Sequence, residues 1–207
     1  MWKLERYKLF LELPNCFVCS YQDKQVDIWI DSRKIILELG CGSGSYAIEL
    51  AKLNPNTLVI WVDMRSDRLC FGAKKSIEQD IKNIKFVWAQ VDHIERFIPA
   101  NSVDEIWITF PDPWPTRDRQ KLTSPKYINI YKNILKKWSI IHIKTDDKWF
   151  FDYSINTLQE NDFKLREKIR DIYNQSAIND VLNIKTYYES KWLKEGRKIG
   201  YIQWYIQ

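Results

Sequence analysis

Three of the chain's six glycines, Gly40, Gly42 and Gly44, stand at alternate positions in the segment ILELGCGSG that runs from Ile36 to Gly44. Glycine adopts positive φ freely and lets a ligand touch the backbone, so this clustering after an apolar run suits a nucleotide-like ligand at a helix N-terminus. A tight turn needs one or two glycines for packing alone; three at alternate positions favour the ligand. The dinucleotide fingerprint G-x-G-x-x-G would place its third glycine at position 45, which is Ser45. Glu38 lies two residues before the turn, where an uncompensated carboxylate is costly to bury. A ligand with an ammonium and a sulfonium rationalises that acid better than a pyrophosphate does, which points to S-adenosylmethionine as cofactor. Asp63 follows the next apolar run at the place where doubly wound folds put an acid on ribose hydroxyls, with Arg65 just beyond. Asp63 alone equally suits a cap for a helix beginning near Ser66.

A second candidate is the segment ITFPDPWP, Ile108 to Pro115, an apolar run entering a proline-stiffened loop. Ligands of open α/β sheets bind beyond the carboxyl ends of strands, so Asp112 is expected in the same crevice as Gly40 and Asp63. Pro111 and Pro113 restrict the backbone on either side of it, and Trp114 offers a flat face on which a base can stack. An isolated PDPW would be read as a rigid turn with its tryptophan in the core.

These residues need a frame. Apolar, β-branched runs at Ile35–Leu39, Thr57–Val62, Ile84–Trp88, Val103–Phe110 and Ile140–Lys144 predict strands; helical spacing covers Ser45–Leu53, Ser66–Ile81, Pro125–Trp138 and Lys148–Glu160. The alternation predicts an α/β fold with a doubly wound, mostly parallel sheet. Phe163–Tyr173 and a terminal Ile199–Ile206 strand suit a closing antiparallel pair, with a helix-like Asn183–Lys194 between them. The 207 residues show no Pro/Gly/Ser-rich break and read as one domain, 1–207, with a short N-terminal extension before about residue 34.

Composition narrows the setting. The first twenty residues interleave charges with apolar residues and form neither a signal peptide nor a spanning helix, so a soluble, cytoplasmic protein without a membrane partner is expected. Cys16 and Cys19 have ligand-pair spacing, but structural zinc needs four ligands and there is no second such pair; ordinary reduced thiols and no metal are the reading. The net charge of +5 is modest, yet nine basic residues between Pro113 and Lys148 face only three acids. On charge alone that is a solvated face, and a polyanionic partner becomes credible only with a site beside it.

Taken together, ILELGCGSG, VDMR (Val62–Arg65), FPDPWP (Phe110–Pro115), KTDD (Lys144–Asp147) and TYYE (Thr186–Glu189) resemble the bacterial tRNA guanine-N7 methyltransferases, in that family's order and at similar spacing from about Ile35 to the C-terminus. The resemblance implies a Rossmann-like class I methyltransferase fold and transfer of the methyl group of S-adenosylmethionine to N7 of a guanosine in the variable loop of tRNA. It implies that Glu38, Gly40, Gly42, Gly44, Asp63, Arg65, Gln90 and Asp112 bind the cofactor and that Asp112 is catalytic. Asp146, Thr186 and Glu189 are implied to help bind the tRNA or to close over the site, and Arg117 is expected among the substrate-binding residues. Read by themselves, Thr186 and Glu189 have the spacing of a helix capping box, and Asp146 could cap the helix entering at Lys148. Gln90 stands where the family usually has Asp or Asn. The basic stretch after the PDPW element is shortened to TRDRQKL, with Arg117 in the place of a lysine's role. A monomer or homodimer without an obligate protein partner is expected. The alternatives are a methyltransferase acting on an exocyclic amine of a nucleobase, and a non-catalytic RNA-binding protein that retains the fold.

Overall fold

The computed structural model describes residues 3–40, 42 and 44–207; Cys41 and Ser43 of the glycine turn lie outside the described residues. The chain runs α1 (Lys3–Glu12), β1 (Cys16–Val18), β2 (Lys34–Leu39), α2 (Ser45–Leu53), β3 (Thr57–Asp63), α3 (Ser66–Glu78), β4 (Ile84–Trp88), β5 (Val103–Thr109), α4 (Pro125–Ile134), β6 (Leu135–Thr145), α5 (Lys148–Glu160), β7 (Lys164–Ile169), α6 (Tyr187–Lys194) and β8 (Gly200–Tyr205). The strands form one sheet in the order β1-β4-β3-β2-β5-β6-β8-β7. Neighbours from β1 to β6 are parallel, and β8 runs antiparallel to both β6 and β7. The expected doubly wound sheet and its closing antiparallel pair are both present.

Alternation along the central strands sorts side chains between two cores. Ile35, Leu37 and Leu39 of β2, with Ile60 of β3 and Ile106 of β5, pack under Ile128 and Tyr131 of α4 and Phe150 and Leu158 of α5. Ile36, Trp61 and Trp107 face the other way, against Phe10 of α1, Ile48 of α2 and Leu69 of α3. Buried on both sides, β3 is apolar at every position from Leu58 to Val62, as a central parallel strand requires.

Two expected boundaries move. The helix entered at Pro125 ends at Ile134, not at Trp138, because Leu135 already pairs with Val103 of β5 and starts β6. A register shift follows, and Trp138 takes a left-handed φ of 69°. α6 begins at Tyr187, four residues after the expected start, because the carbonyls of Leu182 and Ile184 are held by Lys144 outside any helix.

The segment before residue 34 belongs to the sheet: β1 pairs with the edge of β4, and α1 lies against α3. In extended chain Cys16 and Cys19 point to opposite faces, one packed on each core, which separates a pair whose spacing suggests joint ligation. Among the described residues no group of three or more His, Cys, Asp or Glu could hold a metal ion, and no helix is long and apolar enough to cross a membrane.

Candidate active site

The strand order reverses between β2 and β5, so the crevice that such sheets use for ligands opens beyond Leu39 and Thr109. On the β2 side the chain leaves through Gly40, Gly42 and Gly44, with φ of 70°, 78° and 72°. This region is strained for any residue with a Cβ. Space separates two of the three. At Gly44 an added Cβ would lie 2.2 Å from the Trp61 ring, so that glycine serves helix packing. At Gly42 the nearest atoms among the described residues are Arg68 Nη1 at 3.6 Å and Tyr188 Cε2 at 3.8 Å, ordinary van der Waals distances that leave room for a Cβ.

Two buried carboxylates flank the turn. Glu38 is fully buried, and Thr109 Oγ1 of β5 donates to its Oε1 at 2.9 Å, tying the two strands together at the switch point. Asp63 ends β3 and is 5% exposed. It accepts the backbone N–H of Arg65 at 2.7 Å and that of Gly42 at 3.4 Å, so it holds the turn as well as facing the ligand space. Burial raises its pKa, opposed by those N–H groups and by the charges of Arg68 and Arg65. The Arg65 guanidinium makes 3.0 Å bonds to both carboxylate oxygens of Asp67. Beside Asp63 the chain forms a cavity of about 230 Å³ lined by Met64, Trp88, Ala89 and Gln90 at the ends of β3 and β4, and by Cys19 and Tyr21 beyond β1. Gln90 is exposed at its rim.

On the β5 side the loop is held by backbone geometry. Phe110 and Trp114, neither of them glycine, have left-handed φ of 50° and 43°. Each such residue costs on the order of 1–3 kcal/mol and persists only where its surroundings dictate it. For Phe110 these are its N–H bond to Lys144 O at 2.7 Å and its ring contact with Trp192 at 5.1 Å. Asp112, between the two, is exposed, and among the described residues no donor engages its carboxylate. Arg117 lies exposed with its guanidinium 5.8 Å from the centre of the Trp114 ring. Lys121, which falls in the same basic stretch, is buried against Tyr153 and paired with Asp118.

The C-terminal candidates engage partners inside the protein. Thr186 and Glu189 form a complete capping box at the start of α6: Thr186 Oγ1 accepts the Glu189 N–H at 3.0 Å, and Glu189 Oε2 accepts the Thr186 N–H at 3.3 Å. Glu189 is fully buried, ion-paired with the equally buried Lys144 at 2.8 Å and accepting from Tyr173 Oη at 2.9 Å. Its oxygens are thus spent inside the protein. Lys144 also donates to the carbonyls of Leu182 and Ile184 at 2.8 and 2.9 Å. Burial lowers its pKa, and Glu189 pulls it back up. Asp146 is paired with Arg197 at 2.8 Å, and it is Asp147 that caps α5, accepting the Phe150 N–H at 2.6 Å.

Residues the sequence did not single out gather at the same mouth: Thr109, Arg68, Tyr188 and Trp192. Their only signal was position, Tyr188 lying within TYYE and Thr109 just before FPDPWP.

A glycine turn with acids at the strand ends of such a sheet forms a crevice for a nucleotide-like cofactor, and its class is that of a methyltransferase. Residues 32–201 match a family model described as "Putative methyltransferase". The 16S rRNA methyltransferase KamB has the same fold, with a TM-score of 0.65 at 16% identity over 84% of this chain and 88% of that one. A tRNA (guanine-N(7)-)-methyltransferase of Bacteroides thetaiotaomicron is 38% identical over 97% of this chain and 84% of its own length. One of the same name from Christiangramia forsetii is 38% identical over 84% and 79%. The chain belongs to the tRNA (guanine-N(7)-)-methyltransferase family.

Proposed function

We propose that this chain methylates N7 of a guanosine in tRNA, with S-adenosylmethionine as methyl donor. The observation that carries the reading is Asp112, an exposed carboxylate fixed between two left-handed residues at the end of β5, across the switch point from the glycine turn at Gly42. The donor, when bound, supplies an electrophilic methyl group on a sulfonium. The site's chemistry fits it: Asp63 would meet ribose hydroxyls, Met64, Trp88 and Gln90 would hold the adenine, and the backbone at Gly40 and Gly42, near buried Glu38, would hold the amino-acid end.

Guanine N7 carries a lone pair and no proton, so the attack needs no strong general base. Asp112 accepts hydrogen bonds from the N1–H and N2–H edge, orienting the base and stabilising the positive charge that develops on it. Holding two reacting groups in line is worth as much as ~7–11 kcal/mol in well-oriented cases. Arg117 and Arg119 hold phosphates and set register without reading sequence. Tight engagement of Thr186 and Glu189 with their own helix makes their role in tRNA binding an indirect one, through the position of α6.

The test is transfer of labelled methyl to tRNA followed by nucleoside identification. The expected product is 7-methylguanosine, made by the parent chain and lost in Asp112→Ala, with S-adenosylmethionine affinity kept within a few-fold. An exocyclic N-methyl product, RNA binding without transfer, or turnover retained in Asp112→Ala would each overturn the reading.

A further inference from the structure

Four aromatic rings line the side of the crevice between the glycine turn and the loop of Asp112. Phe110, two residues before Asp112, lies 5.1 Å from Trp192; Trp192 is stacked with Tyr188 at 5.7 Å and an interplanar angle of 27°; Tyr187 meets Tyr188 edge-on at 5.5 Å. The row spans from the acid to the backbone, since Tyr188 also comes within van der Waals reach of a Cβ built on Gly42. Tyr188 is 42% exposed and Tyr187 70% exposed, so both rings present a face to solvent. The helix is not loosely placed: α6 is anchored beneath these rings by the buried Lys144–Glu189 pair and the capping box. A rigid, exposed aromatic face is therefore held where a substrate ring must enter.

Resting on the function proposed above, we propose that Tyr188 is a positioning residue, the face on which the target purine stacks while Asp112 holds its polar edge. The occupant is a purine rather than an apolar protein segment because the row ends at a carboxylate and a glycine backbone, partners for an N–H edge and a nucleotide-like ligand. The chemistry favours the same choice. Methylation at N7 turns a neutral ring into a cation, and an electron-rich ring attracts a cation over its face more than it attracts the neutral base. Such an interaction strengthens as the reaction proceeds, so it raises kcat more than it lowers KM.

The experiment compares Tyr188→Phe, Tyr188→Leu and Tyr188→Ala with the parent chain in tRNA methyl transfer, alongside S-adenosylmethionine affinity by calorimetry. The expected result is that Phe retains most of kcat while Leu and Ala lose roughly ten- to a hundredfold, the scale of removing a base–aromatic stack. KM for tRNA and donor affinity stay within a few-fold. Activity retained in Tyr188→Ala, or kept equally by Leu and Phe, overturns the stacking role. A parallel loss of donor affinity assigns the ring to the cofactor instead and overturns it as well. Absence of transfer by the parent chain overturns the proposed function and this role with it.

Discussion

At Asp63 a carboxylate is kept inside the protein at a cost to folding. Its pKa lies above the ordinary carboxylate value because burial outweighs the two backbone N–H groups and the nearby arginines. A carboxyl whose folded pKa is raised binds its proton more readily in the folded state. Ionisation therefore opposes folding, not at all at acid pH and in full once the pH exceeds the folded pKa. Asp63→Asn removes that penalty and keeps an oxygen for one of the N–H donors. Its melting temperature is expected to exceed the parent's at neutral pH, with the gap closing as the pH falls into the carboxylate range. Calorimetric titration is expected to reveal weaker S-adenosylmethionine binding in the same variant, the usual exchange of stability for function at a ligand site. A melting temperature at or below the parent's at neutral pH contradicts the assignment. Gly42 and Gly44, identical in type and nearly so in φ, also divide at this scale: a Cβ at one would meet Arg68 and Tyr188 at ordinary contact distance, at the other it would collide with the Trp61 ring.

α6 shows how an element can be placed by a single buried side chain. Eight residues make few interactions of their own, and an isolated helix of that length is marginal in water. Lys144, at the end of β6, supplies three anchors at once: the Glu189 carboxylate and the carbonyls of Leu182 and Ile184. Removing one partner of such a pair leaves an uncompensated buried charge, and Lys144→Met is expected to lower unfolding free energy by about 3–5 kcal/mol. Lys144→Met with Glu189→Leu is expected to cost less than the sum of the two single changes, since the charge and its partner leave together. Urea denaturation of the four proteins measures the coupling; strict additivity would mean that the pair does not hold the helix.

For the whole molecule the question is where a modest net charge of +5 meets a polyanion. The basic run after Pro113 is largely spent on the protein itself. Lys121, Lys126, Lys132, Lys136 and Lys144 pair with Asp118, Asp92, Asp162, Asp104 and Glu189. Arg117, Arg119, Lys137 and Lys148 have no carboxylate within ion-pair distance among the described residues. The first two lie on the loop of Asp112. Replacing both Arg117 and Arg119 by alanine is expected to weaken tRNA binding and to flatten its salt dependence by about one in the logarithmic slope for each phosphate left without its cation. Filter binding over a salt series measures this, and an unchanged slope would place the phosphates elsewhere. Donor affinity should not move.

The strands, their parallel order and the glycine turn were legible because each is written in local pattern: β-branched runs of strand length, helical spacing between them, glycines at the strand end. The placement of Asp63 and Asp112 at strand ends was legible for the same reason, since a strand's carboxyl end is a place that chain order alone identifies. The boundary at Ile134 was not, because the pattern of α4 continues in sequence while Leu135 is claimed by a neighbouring strand. Nor were the partners of Asp146 and Glu189, which lie fifty-one and forty-five positions away and depend on how rigid elements meet. By itself the sequence determined the doubly wound, mostly parallel sheet from β2 onward and the strand ends that carry Asp63 and Asp112, through periodicity and composition. Only the tertiary structure decided which charged groups face the crevice and which are used up inside, because a long side chain's partner is set by packing across the fold and not by its neighbours in the chain.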